Sequence, residues 1–133
     1  MLVTNSLLDN LLNAHGDATM TVTPADTAEW MGSGEVPFLA TPRLIALLEA
    51  ATCAALAGRL APGNTSVGTK VEVDHIAASP IAAKVHAHAE VIDVVGNRVS
   101  FAVSASHTLA SGQSKRIGVG TVTRAVVDRA TFY

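Results

Sequence analysis

The apolar pattern of the chain changes character at residues 41–60. Between Leu44 and Gly58 the only ionisable side chains are Glu49 and Cys53, so no charged stripe marks a solvent face. Such a stretch reads as a helix surrounded by other structure. Its ends are written locally: Thr41 is a good N-cap, Pro42 suits the first helical position, and Pro62-Gly63 cannot continue a helix. The pattern therefore predicts one helix over residues 41–60.

Ahead of it, Leu7, Leu8, Leu11 and Leu12 have helical spacing, which predicts a short amphipathic helix over residues 6–14. His15-Gly16-Asp17 reads as a break, residues 18–22 as a strand, and Thr23-Pro24 as the start of one or two helical turns over residues 25–30. Met31-Gly32-Ser33-Gly34 reads as a flexible loop, placed where a ligand could enter beside the start of the long helix.

Behind the helix the period becomes two. Val67, Thr69, Val71, Val73 and His75 fall on one face of a strand, with Lys70, Glu72 and Asp74 on the other. Residues 82–95 and 98–109 alternate in the same way about the hairpin signal Gly96-Asn97, and Ser111-Gly112-Gln113 turns into a last strand over residues 115–128. Gly118 and Gly120, two apart in that strand, mark a close approach by another backbone, with the long helix as the expected neighbour. The sum is an α+β fold in a single domain over residues 1–133: one apolar helix and an antiparallel meander with one dry face.

Hydrophobic residues make up 49% of the 133, aromatic residues 4% and charged residues 15%, so the core must come from Ala, Val, Leu and Ile. The sparse surface charge points to cover by another subunit. A net charge of -2 and the absence of any basic run argue against nucleic acid as a partner. Cys53, the single cysteine, excludes an intramolecular disulfide and reads as a core thiol in a reducing compartment. Residues 1–12 lack the basic start and long apolar core of a signal peptide, and no run approaches membrane-spanning length, so a cytoplasmic location away from membranes is expected.

Glu49 is the anomaly of the pattern. A carboxylate in an apolar setting loses hydration and must either take up a proton or find donors, and either state is useful beside a substrate. His75 falls in phase with the inward face of its strand, and Thr41 sits where helix amides and dipole favour developing negative charge. Taken singly, each has a plain structural reading: a helix-forming Glu at an edge, a satisfied core histidine, a cap. His86 and His88 have the spacing of two metal ligands on a strand, but no Cys or third His sits at a supporting position, so no metal is expected. His15 and His107 read as surface residues, and Arg43, Lys70, Arg98, Lys115, Arg116 and Arg124 as scattered solubilising cations.

Four segments together carry a resemblance. Phe38-Leu39-Ala40-Thr41, Leu48-Glu49-Ala50-Ala51, Ser66-Val67-Gly68-Thr69 and Val73-Asp74-His75-Ile76-Ala77-Ala78-Ser79-Pro80 resemble hotdog-fold thioesterases of the fluoroacetyl-CoA thioesterase type, and residues 117–127 are similar to that family's final strand. The resemblance implies a hotdog fold, a long central helix wrapped by a curved antiparallel sheet. It also implies a homodimer, with tetramers left open, and acyl-CoA sites at the subunit interface. It further implies hydrolysis of acyl-CoA without a cofactor. Thr41, Glu49 and His75 match the catalytic positions, and Gly68 and Phe38 the substrate-binding ones. Residues 35–38 carry fewer aromatics than the fluoroacetyl-specific type, so that selectivity does not transfer. Two other readings stand beside hydrolysis. One is a non-catalytic acyl-CoA or small-ligand binding dimer. The other is a hotdog enoyl-CoA hydratase, disfavoured because Glu49 and His75 lie on different elements and Asp74 points away from His75.

Overall fold

The computed structural model describes residue 8 and residues 10–133. Strand β1 (His15–Thr21) is followed by a 3-10 turn at Pro24–Asp26, the short helix α1 (Ala28–Met31) and the long helix α2 (Thr41–Leu56). Four long strands follow: β2 (Asn64–His75), β3 (Lys84–Val95), β4 (Arg98–Thr108) and β5 (Ser114–Asp128). They form one antiparallel sheet in the order β1-β3-β4-β5-β2, which leaves β1 and β2 as edges.

Leu44, Leu47, Leu48, Ala51, Ala55 and Leu56 form the buried face of α2. They meet the inward residues of the meander, Val85, Ala87, Ala89 and Val91 on β3 and Val99, Phe101, Val103 and Ala105 on β4. Small residues on both sides let helix and sheet lie close together. The approach is tightest at Gly16, where any side chain would run into the backbone of Ala51, Ala54 and Ala55. That contact corrects one expectation: Gly16 is not a break but lies inside β1, because only glycine fits beneath the helix.

Other boundaries move for local reasons. Residues 6, 7 and 9 of the expected opening helix lie outside the described residues. Residues 10–13 form a turn that buries Leu11 and leaves Leu12 exposed. Helix α2 stops at Leu56, and Gly58 turns left-handed at φ 72°, so the chain leaves the helix four residues earlier than Pro62-Gly63 suggested. Ala40 is the N-cap, which makes Thr41 the first helical residue and releases its hydroxyl from capping. The sheet covers only one side of α2. Ala46, Ala50, Cys53 and Ala54 are exposed in the protomer, and Cys53 is therefore not a core residue.

The most consequential difference is in β2. A bulge between Gly68 and Lys70 inserts one extra residue and reverses the alternation. Val71, Val73 and His75 stay opposite the inward residues Val122, Gly120 and Gly118 of β5. Upstream of the bulge, however, it is Gly68 and Ser66 that lie opposite the buried Arg124 and Val126, where simple alternation placed Val67. Of the two glycines in β5, Gly118 abuts Leu44 of the helix as expected, whereas the neighbour of Gly120 is the β2 backbone at Glu72 and Val73.

Candidate active site

The N-terminus of α2, the end of β2 and the loop after α1 border an open pocket of about 450 Å³. It is lined by Val36, Phe38, Leu39, Thr41, His75, Ile76, Ala77 and Ala78, with Ala28, Ser33 and Gly34 on the loop side. Thr41 Oγ1 and His75 Nδ1 share a hydrogen bond of 2.8 Å, made reachable because the α2 N-cap is Ala40 and the threonine hydroxyl has no cap to serve. The other ring nitrogen, Nε2, is buried and has no hydrogen-bond partner among the described residues. Burial lowers the pKa of His75 below the ordinary 6.5, a shift partly offset by the polar backbone of Ala77 nearby. The imidazole is thus held neutral near pH 7, with one committed nitrogen and one buried nitrogen free to act.

Glu49 is not in that cavity. It lies eight residues beyond Thr41 on α2, roughly 12 Å along the axis at the usual helical rise. There its carboxylate, with the side chain 35% exposed, accepts a hydrogen bond of 3.2 Å from Arg124 Nη1. Gly68 faces the same carboxylate: a side chain at this position would occupy the space of Glu49 Oε2. The structure therefore sorts the five expected residues into two groups, Thr41, His75 and Phe38 at one place and Glu49 and Gly68 at another.

Arg124 was not singled out from the other cations, yet its side chain is only 8% exposed. Its Nε donates to Ser66 Oγ at 2.9 Å and its Nη2 to the Ser66 carbonyl at 3.1 Å. A signal was available, since Val122, Arg124 and Val126 alternate on the inward face of β5. His107 is also buried rather than superficial. It sits at 4% exposure with Nδ1 2.7 Å from Ser79 Oγ, and burial followed by the charge of Lys115 lowers its pKa. His86 is exposed and His88 half-buried, and they share Asp17 Oδ1 at 2.8 and 2.9 Å. Those two imidazoles, His88 foremost, hold the Asp17 pKa down against a small desolvation cost.

A helix laid on a curled five-stranded antiparallel sheet, with a Thr–His pair at the helix start, defines the class: a hotdog domain of the thioesterase type. The solved fluoroacetyl-CoA thioesterase FlK is 32% identical with a TM-score of 0.81, over 91% of this chain and 90% of that one. A thioesterase superfamily member from Thermus thermophilus is 27% identical with a TM-score of 0.79, over 90% and 85% of the two chains. The curated fluoroacetyl-CoA thioesterase of Streptantibioticus cattleyicolor is 39% identical over 93 residues, a match that spans 70% of this chain and 63% of that relative's length. The profile of the fluoroacetyl-CoA-specific thioesterase family matches residues 22–130, and the chain belongs to that family.

Proposed function

We propose that this protein hydrolyses acyl-CoA thioesters to a carboxylate and free CoA, with Thr41, His75 and Glu49 as its reacting groups. The observation that carries this reading is the buried Nε2 of a neutral histidine, unpartnered among the described residues, beside a pocket of mixed polar and apolar lining at a helix N-terminus. Buried polar atoms without partners are rare and call for a ligand or a chemical role. A thioester carbonyl beside Thr41 meets the positive end of the α2 dipole, which stabilises the negative charge its oxygen gains on attack. His75 exchanges the proton that must leave the attacking water and reach the departing sulfur. Glu49 either orients the water that attacks the carbonyl carbon or attacks it first, forming an acyl anhydride that water then cleaves; in both routes the C–S bond breaks and the CoA thiolate takes up the proton the water releases.

The separation of Glu49 from Thr41 is removed by a homodimer. In a two-fold dimer every site recurs in pairs, so the Thr41–His75 cavity of one protomer combines with Glu49 of the partner subunit. Three features support such an assembly: among the described residues β2 is an edge strand of 12 residues, Val71 on it and Ile76 just after it stay exposed, and one face of α2 is small and bare. Phe38 and Val36 line the cavity, and among the described residues no Asp, Glu, Lys or Arg lines it to pair with a charged acyl group.

The test is thiol release across acyl-CoAs from acetyl to long chain, with Glu49→Ala and His75→Ala beside the parent. Release by the parent, reduced about 10²-fold or more in both variants, is expected. Binding of CoA esters without release by the parent would overturn the reading in favour of a non-catalytic binding domain.

A further inference from the structure

Arg124 is the one buried arginine among the described residues, and its donors are distributed unevenly. Two of its three nitrogens are spent on Ser66, one on the hydroxyl and one on the carbonyl of the same residue. Two bonds to one residue fix the plane of a guanidinium, whereas one would let it swing. The third nitrogen reaches Glu49 through a single oxygen, Oε2, and no hydrogen bond among the described residues goes to Oε1. A guanidinium placed only to neutralise a carboxylate favours the two-pronged contact. Here one oxygen is held and the other is left available.

The strand geometry is built around the same contact. The bulge after Gly68 turns Ser66 and Gly68 inward, opposite Val126 and Arg124. The missing side chain at Gly68 makes the space that Glu49 Oε2 occupies. Without the bulge Ser66 would face away from the guanidinium, and with any larger residue at position 68 the carboxylate would be displaced.

We propose that Arg124 is the positioning residue for Glu49: braced on Ser66, it pins one carboxylate oxygen beside Gly68 so that the other meets the thioester. This rests on the catalytic role given to Glu49 above. The measurement is kcat and KM for acyl-CoA hydrolysis by full-length Arg124→Gln, Arg124→Lys and Ser66→Ala, each in the parent and in the Glu49→Gln background, with thermal melting of every protein. In the parent, Arg124→Gln is expected to lower kcat about tenfold to a hundredfold, the scale of a misplaced reacting group, with KM changed far less. Arg124→Lys, which keeps the charge but loses the fork, recovers only part. In the Glu49→Gln background the residual rate is expected to fall no further with either substitution. Ser66→Ala keeps the charge pair and loses one brace, so it provides the same comparison with a smaller kcat loss if Arg124→Gln does not fold. Equal losses in both backgrounds, or an unchanged kcat in Arg124→Gln or in Ser66→Ala, would overturn the proposal. Full turnover by Glu49→Gln alone would instead strike the role of Glu49 itself.

Discussion

Helix α2 carries two polar clusters, and they are built on opposite plans. At its first residue, Thr41 and His75 are neutral, joined by one hydrogen bond, and leave a buried nitrogen without a partner. Two turns further on, Glu49 and Arg124 are oppositely charged, and the arginine is braced at three nitrogens. Burial of the imidazole favours its uncharged form, and the buried Arg124 guanidinium keeps its charge because Ser66 and the part-exposed Glu49 carboxylate pair it. The contrast teaches that one helix can carry a neutral pair with a spare buried nitrogen at its start and a charged pair held in place by bracing further along.

The largest expected effect comes from emptying the first cluster. His75→Gln keeps a polar side chain but cannot exchange a proton, and kcat should fall about 10²- to 10⁴-fold. In the parent, the acid limb of the rate should lie below pH 6.5, because burial depresses the His75 pKa and the neutral form persists to lower pH. A pH–rate profile checks both, and a limb above 6.5 would break the assignment of a neutral base.

The second cluster is sharpened by Gly68→Ala. The added methyl competes with Glu49 Oε2 for one space, and because that oxygen ends a flexible, part-exposed side chain it can swing aside; stability should change little while turnover falls, with little change in the His75 acid limb. Thermal melting and the pH–rate profile of this variant separate the clusters: a shifted acid limb would show that they are coupled through the helix.

A smaller effect is expected where the cavity is braced from behind. Ser79 bonds His107 with its side chain and accepts from the Leu39 amide with its carbonyl, tying together the segments that carry His75 and Phe38. Ser79→Ala leaves His107 Nδ1 buried without its partner and should cost about 1–3 kcal/mol in denaturant unfolding. The folded-state pKa values of His75 and His107 lie below the unfolded value, so the unfolded chain binds more protons. Parent stability is therefore full above about pH 6.5 and falls as pH drops from there through the depressed values. His107→Gln should flatten part of that fall in melts taken across the range.

Much of this was legible in the sequence. The alternation of β3 and β4 and the uniformly apolar stretch of α2 identified the sheet, its dry face and the helix, because period and hydrophobicity are local properties. That Thr41 and His75 lie near one another was not readable from either residue alone: Thr41 looks like a cap, and only the family resemblance singles the two out together. What escaped was set by tertiary contact. Gly16 looks like a turn residue until the helix backbone lies on it. The bulge at Gly68 reverses which side of β2 faces inward, and nothing in Ser66-Val67-Gly68-Thr69 announces it. Arg124 and His107 look like surface residues until their partners, Glu49 with Ser66 and Ser79, arrive from distant segments. Cys53 errs in the other direction: an apolar helix suggested burial on all sides, while the sheet covers only one.

The central claim is that the two clusters form one site across a dimer, and complementation tests it most directly. His75→Ala and Glu49→Ala chains are co-expressed with different tags, and the mixed dimer is isolated for thiol-release assays. One of its two sites would then hold both intact groups, so turnover is expected to return to about half that of the parent dimer. A mixed dimer no more active than either variant alone would contradict the account.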